Sequence, residues 1–241
     1  MQVQFRELVI ESAVLYPKVR RWTAKLLRNR EAHHGYSHAQ EVRSLSRTIA
    51  LSEGVLSRDA YPLMYTIAIL HDVDDKKEDP NGIYRRQMRN FLRATASPHL
   101  EDFILAAVER VSMSNEVING CVEWPLILGA GLIIRHYVSD ADKLLCLGKD
   151  GHKRVVEYNV SKIARRVYSD CGDKIPRNPY AAIYEEFSDE LIKNVSDIMR
   201  TRIQYVPNHL RTNYARVRAV SMMSALNLEH EAWISSMRGK Q

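Results

Sequence analysis

The spacing of apolar residues is what most limits the fold open to this chain. They recur at three- and four-residue steps, and two-residue alternation is scarce. Phe5, Leu8, Val9, Ala13 and Leu15 line one face of a helix expected over residues 3 to 27, with Trp22, Leu26 and Leu27 continuing it and Pro17 a break or kink. Val42, Leu45 and Ile49 form a second stripe, and Ala60, Met64, Ile67 and His71 a third. Phe103, Ile104, Ala107, Val108 and Val111 mark another helix. Towards the C-terminus, Ile183, Tyr184, Phe187, Leu191, Val195 and Ile198 share one helix, while Val217, Val220, Met223 and Leu226 share the next. The pattern predicts an all-α protein. It has no repeat, low-complexity tract or linker, so one domain is expected: a core over about residues 20 to 165, with a helical pair over about 176 to 235 packed on it.

Local signals place the helix ends. Ser37, three residues before Gln40, predicts a capping box, and Gly54 suits the end of that helix. EDPNG reads as a turn, followed by the basic amphipathic helix IYRRQMRNFLRAT, which Pro98 closes. Beyond Pro125 the chain is apolar and its structure ambiguous, until SDADKLLCLG restarts a helix behind Ser139. Residues 151 to 175 are polar and carry no readable pattern.

Composition narrows the setting. Of the 241 residues, 45% are hydrophobic and 27% charged, as in an ordinary water-soluble protein large enough to bury a core. The longest apolar run, WPLILGAGLIIRHYV, is broken by Arg135 and His136, so no membrane span is expected. The N-terminal MQVQFRELVIESAV does not read as a secretory signal. Three cysteines without CxxC spacing argue against a disulfide framework or a cysteine-rich zinc site, and a reducing, cytoplasmic location is expected. A formal charge of +6 suits an anionic partner without choosing among nucleotide, nucleic acid or acidic surface.

The residues that point to chemistry lie in three places. His38 falls in the first turn of its helix, on the side of Val42 and Leu45, so its imidazole points inward. His34, four residues earlier, precedes the expected helix start and shares no face with it. His71 and Asp72 end the apolar run MYTIAIL, and a carboxylate there is costly unless a divalent metal, arginine or lysine neutralises it. Asp140 and Asp142 fall in the first turn of the helix expected behind Ser139, where negative charge is favourable. Asp140 is the residue expected to complete a mixed histidine and aspartate site. Two imidazoles and two carboxylates suit manganese, iron or zinc, and are too rich in nitrogen for calcium.

In the order H…HD…D, carried by YSHAQEV, AILHDVDD and SDADKLLCLG, the chain resembles the HD-domain metal-dependent phosphohydrolase superfamily. More narrowly it resembles the small bacterial HD hydrolases that act on nucleotides. Their closing motif DADRLDALG compares with DADKLLCLG here, their ISFSKE with VSMSNE, and their C-terminal acidic residue and tryptophan with EHEAW. The resemblance implies metal ligation by His38, His71, Asp72 and Asp140. It assigns Asp75, or alternatively Asp74, to a proton of the attacking water or leaving group. Lys76, Lys77, Lys143 and His34 become candidates for holding phosphate oxygens. Lys143 stands for an arginine of the motif, and Leu145 departs from its aspartate.

The implied activity is hydrolysis of a phosphate ester or anhydride, in a nucleotide and plausibly a nucleoside triphosphate, by metal-activated water. Manganese is the first choice of ion, followed by magnesium, cobalt, zinc or iron(II). The rival reading is a non-catalytic nucleotide- or nucleic-acid-binding HD module using basic stretches such as RRQMRNFLR. Nucleic acid is the less favoured partner because aromatic residues for stacking are sparse, 8% of the chain.

Overall fold

The protein is described by a computed structural model, which covers residues 2–28, 35–73, 79, 81–112, 117–118, 121–122, 126–169 and 179–239. The architecture is all-α. The helices are α1 (Gln2–Leu26), α2 (Tyr36–Glu53), α3 (Tyr61–Leu70), α4 (Ile83–Thr95), α5 (Pro98–Glu109), α6 (Leu132–Leu145), α7 (Gly148–Tyr168), α8 (Pro179–Glu186), α9 (Ser188–Thr201) and α10 (Asn213–Arg238). Among the described residues, extended structure is confined to a small antiparallel pairing of Val117–Ile118 with Cys121–Val122. No helix among them is long and apolar enough to cross a membrane.

The chain divides into two compact units. The first holds Met1–Lys143 and His209–Arg216; the second holds Leu144–Asn208 and Val217–Gln241.

In the first unit α3 is central, packed by α1, α2 and α5. Its sequence explains this position: YPLMYTIAIL is apolar on every side, and Leu63, Met64, Ile67, Ala68, Ile69 and Leu70 are all fully buried. α1 contributes Leu8, Leu15 and Val19 to the core and continues through Pro17, where a break or kink was expected. Trp22 of α1 stacks on Phe91 of α4, with ring centroids 4.7 Å apart.

Side chains from elsewhere in the fold set several helix starts. Asp79 accepts from the amides of Ile83 and Arg85 at 2.7 and 3.0 Å and so caps α4. Ser97 caps α5 ahead of Pro98, while Glu11 accepts from both its amide and its hydroxyl, at 2.5 and 2.6 Å. α2 departs from expectation. It begins at Tyr36 behind Gly35 with no side-chain cap, so Ser37 lies inside the first turn and the capping box does not form. Its other end is as expected, at Gly54 in the left-handed conformation with φ 68°.

α6 corrects the reading of residues 132 to 145. The helix starts at Leu132, not behind Ser139. Ser139 is buried and donates to the Val111 carbonyl at 2.7 Å, so it serves as an interior contact rather than a cap. Asp140 and Asp142 therefore lie near the C-terminal end of a helix, where the dipole disfavours negative charge.

In the second unit α7 packs on α8 and α9. α7 occupies much of the stretch that carried no readable pattern, burying Val156, Val160 and Ile163. The helix expected through Phe187 is two helices, α8 and α9, with Phe187 between them in a non-helical conformation. Gly151 is required by close approach: an added Cβ would overlap the backbone carbonyl of Cys146. Backbone cannot rotate away as a side chain can. Gly151→Ala is expected to lower the urea midpoint, a loss of about 1–3 kcal/mol from overpacking. An unchanged midpoint would contradict this account of the α6–α7 turn.

Candidate metal centre

The central α3 delivers the first pair of residues. The helix ends at Leu70, and His71 keeps a helical conformation with φ −58°. Its Nδ1–H donates to the Ala68 carbonyl at 2.8 Å, which fixes the ring and leaves Nε2 as the nitrogen facing away from the backbone. Asp72 follows, and its Oδ2 lies 3.3 Å from His71 Nε2. The third residue of α2, His38, is buried, and its Nε2 lies 3.5 Å from the same Asp72 oxygen.

α6 supplies the remaining carboxylate, and it comes from Asp142. Its Oδ1 lies 3.2 Å from His38 Nε2 and 3.6 Å from His71 Nε2. Ligand atoms of His38, His71 and Asp142 all fall within 4.8 Å of one another. The imidazoles sit at the closed end, with side-chain exposures of 6% and 2%, against 17% and 23% for Asp72 and Asp142. The cluster therefore reaches solvent on its carboxylate side.

Asp140, the residue expected from the sequence, does not join this cluster. It is fully buried and accepts from the Arg211 amide at 3.1 and 3.0 Å and from the Thr212 amide at 2.7 Å. Thr212 in turn caps α10, taking the Ala215 amide on Oγ1 at 3.2 Å. Asp140 thus fastens the start of α10. Burial raises its carboxyl above the usual range, although these amides and the Lys143 charge work the other way.

Lys143 is buried as well and donates to Ser139 Oγ at 2.6 Å. The structure places it in the interior, with its charge felt by Asp140. Asp74, Asp75, Lys76, Lys77 and His34 lie outside the described residues, as do the last residues of VSMSNE.

The residues present fit a divalent cation. His71 Nε2 is buried and makes no hydrogen bond of acceptable geometry, although two carboxylates surround it. With Nδ1 already carrying a proton, a neutral His71 would aim a lone pair at negative oxygens. A proton or a cation must lie between them. Two nitrogens and two carboxylate oxygens are a donor set for a transition metal.

Without a cation, protons fill the role. Burial acts to lower the His71 pKa, but the negative charges of Asp72 and Asp142 beside Nε2 outweigh it and hold it well above the ordinary histidine value. Burial acts to raise Asp142, and the bond from His38 and the charges of His71 and His38 overcome it, holding the carboxyl far below its ordinary range.

The fold likenesses are to bacterial crystal structures. One, from Lactobacillus plantarum, superposes with a TM-score of 0.65 at 20% identity, over 93% of this chain and 97% of that one. Bacillus subtilis YpgQ in complex with ADP superposes with a TM-score of 0.59 at 15% identity, over 94% and 96%. Lin1889 from Listeria innocua gives 0.52 at 18% identity, over 92% and 94%. At these identities the likeness is one of fold. No family profile and no curated protein sequence matches the chain.

The raised His71 pKa has a direction that can be measured. In chelator, the His71 contribution to stability is fully present below its unfolded pKa of about 6.5 and is lost as pH rises through the higher folded value. Asp142 contributes oppositely, with stability that persists down through the usual carboxylate range and is lost only in stronger acid. The unfolding midpoint in chelator should therefore fall on the alkaline side of neutrality, and added manganese should abolish that fall. A midpoint in chelator that stays level across that range would contradict the arrangement.

Proposed function

We propose that this chain is an HD-type metal-dependent phosphohydrolase acting on a nucleotide. The observation that carries the reading is the convergence of His38, His71, Asp72 and Asp142, with His71 Nε2 buried and aimed at two carboxylates. The histidine followed by aspartate at the end of a buried helix is the sequence signature of that superfamily, here on an all-α fold. The ADP bound by YpgQ supports a nucleotide as the substrate class.

The ligand set is His38, His71, Asp72 and Asp142, with manganese as the first choice of ion and magnesium, cobalt, zinc or iron(II) as further choices. A divalent cation held there supplies a Lewis acid for water and for a phosphoryl oxygen. The chain's own residues do the rest. His71 is held by the Ala68 carbonyl and cannot turn its ring away. Asp72 and Asp142 stand at the open side, where an anionic substrate must be met by positive charge. Asp75 or Asp74, just beyond Asp72 in sequence, takes or returns the proton. Lys76 and Lys77 hold phosphate oxygens as point charges.

The test is a panel of nucleoside mono-, di- and triphosphates with Mn²⁺, Mg²⁺, Co²⁺ and Zn²⁺, with products separated by phosphate number. Hydrolysis of at least one nucleotide is expected, and Asp72→Ala should reduce it by at least ~100-fold. Hydrolysis that survives Asp72→Ala would refute the mechanism. Salt-sensitive binding of nucleic acid without hydrolysis would favour the non-catalytic module instead.

A further inference from the structure

The charge of the chain is concentrated in one place. Residues 17–30 hold six Lys and Arg and no Asp or Glu, so the other 29 cations are matched by 29 acids elsewhere and the whole formal charge of +6 falls in this one segment. Most of the segment is the C-terminal part of α1.

Helix geometry sorts these cations. Lys18, Arg21, Lys25 and Arg28 follow one another at steps of three, four and three, and so leave the axis within an arc of about 80°. Arg28 lies two residues past α1, where the Leu27 amide still bonds the Thr23 carbonyl at 2.9 Å and carries the turn onward. Arg20 leaves the axis about 120° from the centre of that arc and is not part of the ridge. The opposite side of the helix, with Leu8, Leu15, Val19 and Leu27, is buried. All four ridge cations are exposed, and none makes an ion pair with a described residue. Glu11, the nearest preceding acid in sequence, is held by the Ser97 amide and hydroxyl.

The result is a convex line of four cations about 15 Å long. A mononucleotide gathers its phosphates at one point and cannot meet charges spread over that length. Duplex nucleic acid presents one phosphate charge per about 1.7 Å of its axis, roughly nine over the ridge. A single strand is held by stacking on exposed aromatic side chains, whereas Trp22, the indole of α1, is stacked on Phe91. An acidic membrane takes up a helix whose apolar face is free to enter it, and that of α1 is buried in the core. Ile10 and Val14, 61% and 66% exposed, extend the ridge without the aromatic residues that such helices carry.

We propose that the outer face of α1 docks on the phosphodiester backbone of a nucleic-acid duplex through Lys18, Arg21, Lys25 and Arg28. The contact is with phosphates, so it reads no base sequence. It does not rest on the metal centre. Labelled DNA and RNA duplexes of about 20 mixed base pairs, titrated with the full chain at several potassium chloride concentrations, test it by fluorescence anisotropy. At about 50 mM salt at least one duplex should bind at micromolar concentration, with log K falling against log salt at a slope of about −3 to −4. Lys18→Gln with Lys25→Gln should weaken binding at least ~10-fold at that salt and reduce the slope by about 2. Lys162→Gln with Arg218→Gln removes the same charge from exposed positions on α7 and α10 and should leave the slope as it is. All four substituted positions are exposed, so the unfolding midpoints of both variants should match the parent's. Binding of neither duplex at ~100 µM chain would overturn the proposal. So would a slope that the Lys18 and Lys25 changes do not alter, or one that the α7 and α10 changes lower equally. Uptake by phosphatidylserine vesicles with neither duplex bound would overturn it as well.

Discussion

Asp140 and Asp142 lie two residues apart near the C-terminal end of α6, so their side chains leave the helix about 200° apart. Neither can rely on the helix dipole, which is unfavourable at that end. Each must find its own compensation in a different direction. Asp140 finds backbone amides at the start of α10, and Asp142 finds the two imidazoles at the ends of α2 and α3. One turn of α6 thereby does two jobs: it holds the Asn213–Arg238 helix by its first turn and completes a cluster of ligand atoms. The site depends on this division, because His38 and His71 are 33 residues apart in sequence and Asp142 Oδ1 lies within 3.6 Å of both.

Much of this was legible in the sequence because it follows from local rules. A segment apolar on all sides, YPLMYTIAIL, reads as a buried helix, and a histidine and aspartate at its end read as a site. The all-α class follows from the helical period. The inward directions of His38 and His71 follow from the helical period, and the structure brings both to Asp72. The choice between Asp140 and Asp142 was not legible, because it turns on where α6 begins. Ser139 looks like a cap to a local reading, and only its bond to Val111, 28 residues away, shows it to be an interior residue. Once the helix is known to start at Leu132, the dipole argument for both aspartates reverses.

The same limit explains the other departures. Gly35, not Ser37, precedes α2, since a favourable capping side chain does not oblige the chain to use it. Val217 and Val220 share a helical period with buried residues, yet face solvent, because period alone does not say which of two apolar stripes turns inward. The polar stretch beyond Gly151 forms α7 around a narrow stripe of Val156, Val160 and Ile163.

The most direct measurement is the metal content of two variants that differ by two positions. Full-length protein carrying Asp140→Asn or Asp142→Asn is equilibrated with manganese, freed of excess, and assayed for bound ion by mass spectrometry. The account predicts about one ion per chain in the parent and in Asp140→Asn, with lowered stability in the latter, and loss of the ion in Asp142→Asn. Retention of the ion by Asp142→Asn together with its loss in Asp140→Asn would contradict the assignment of the site.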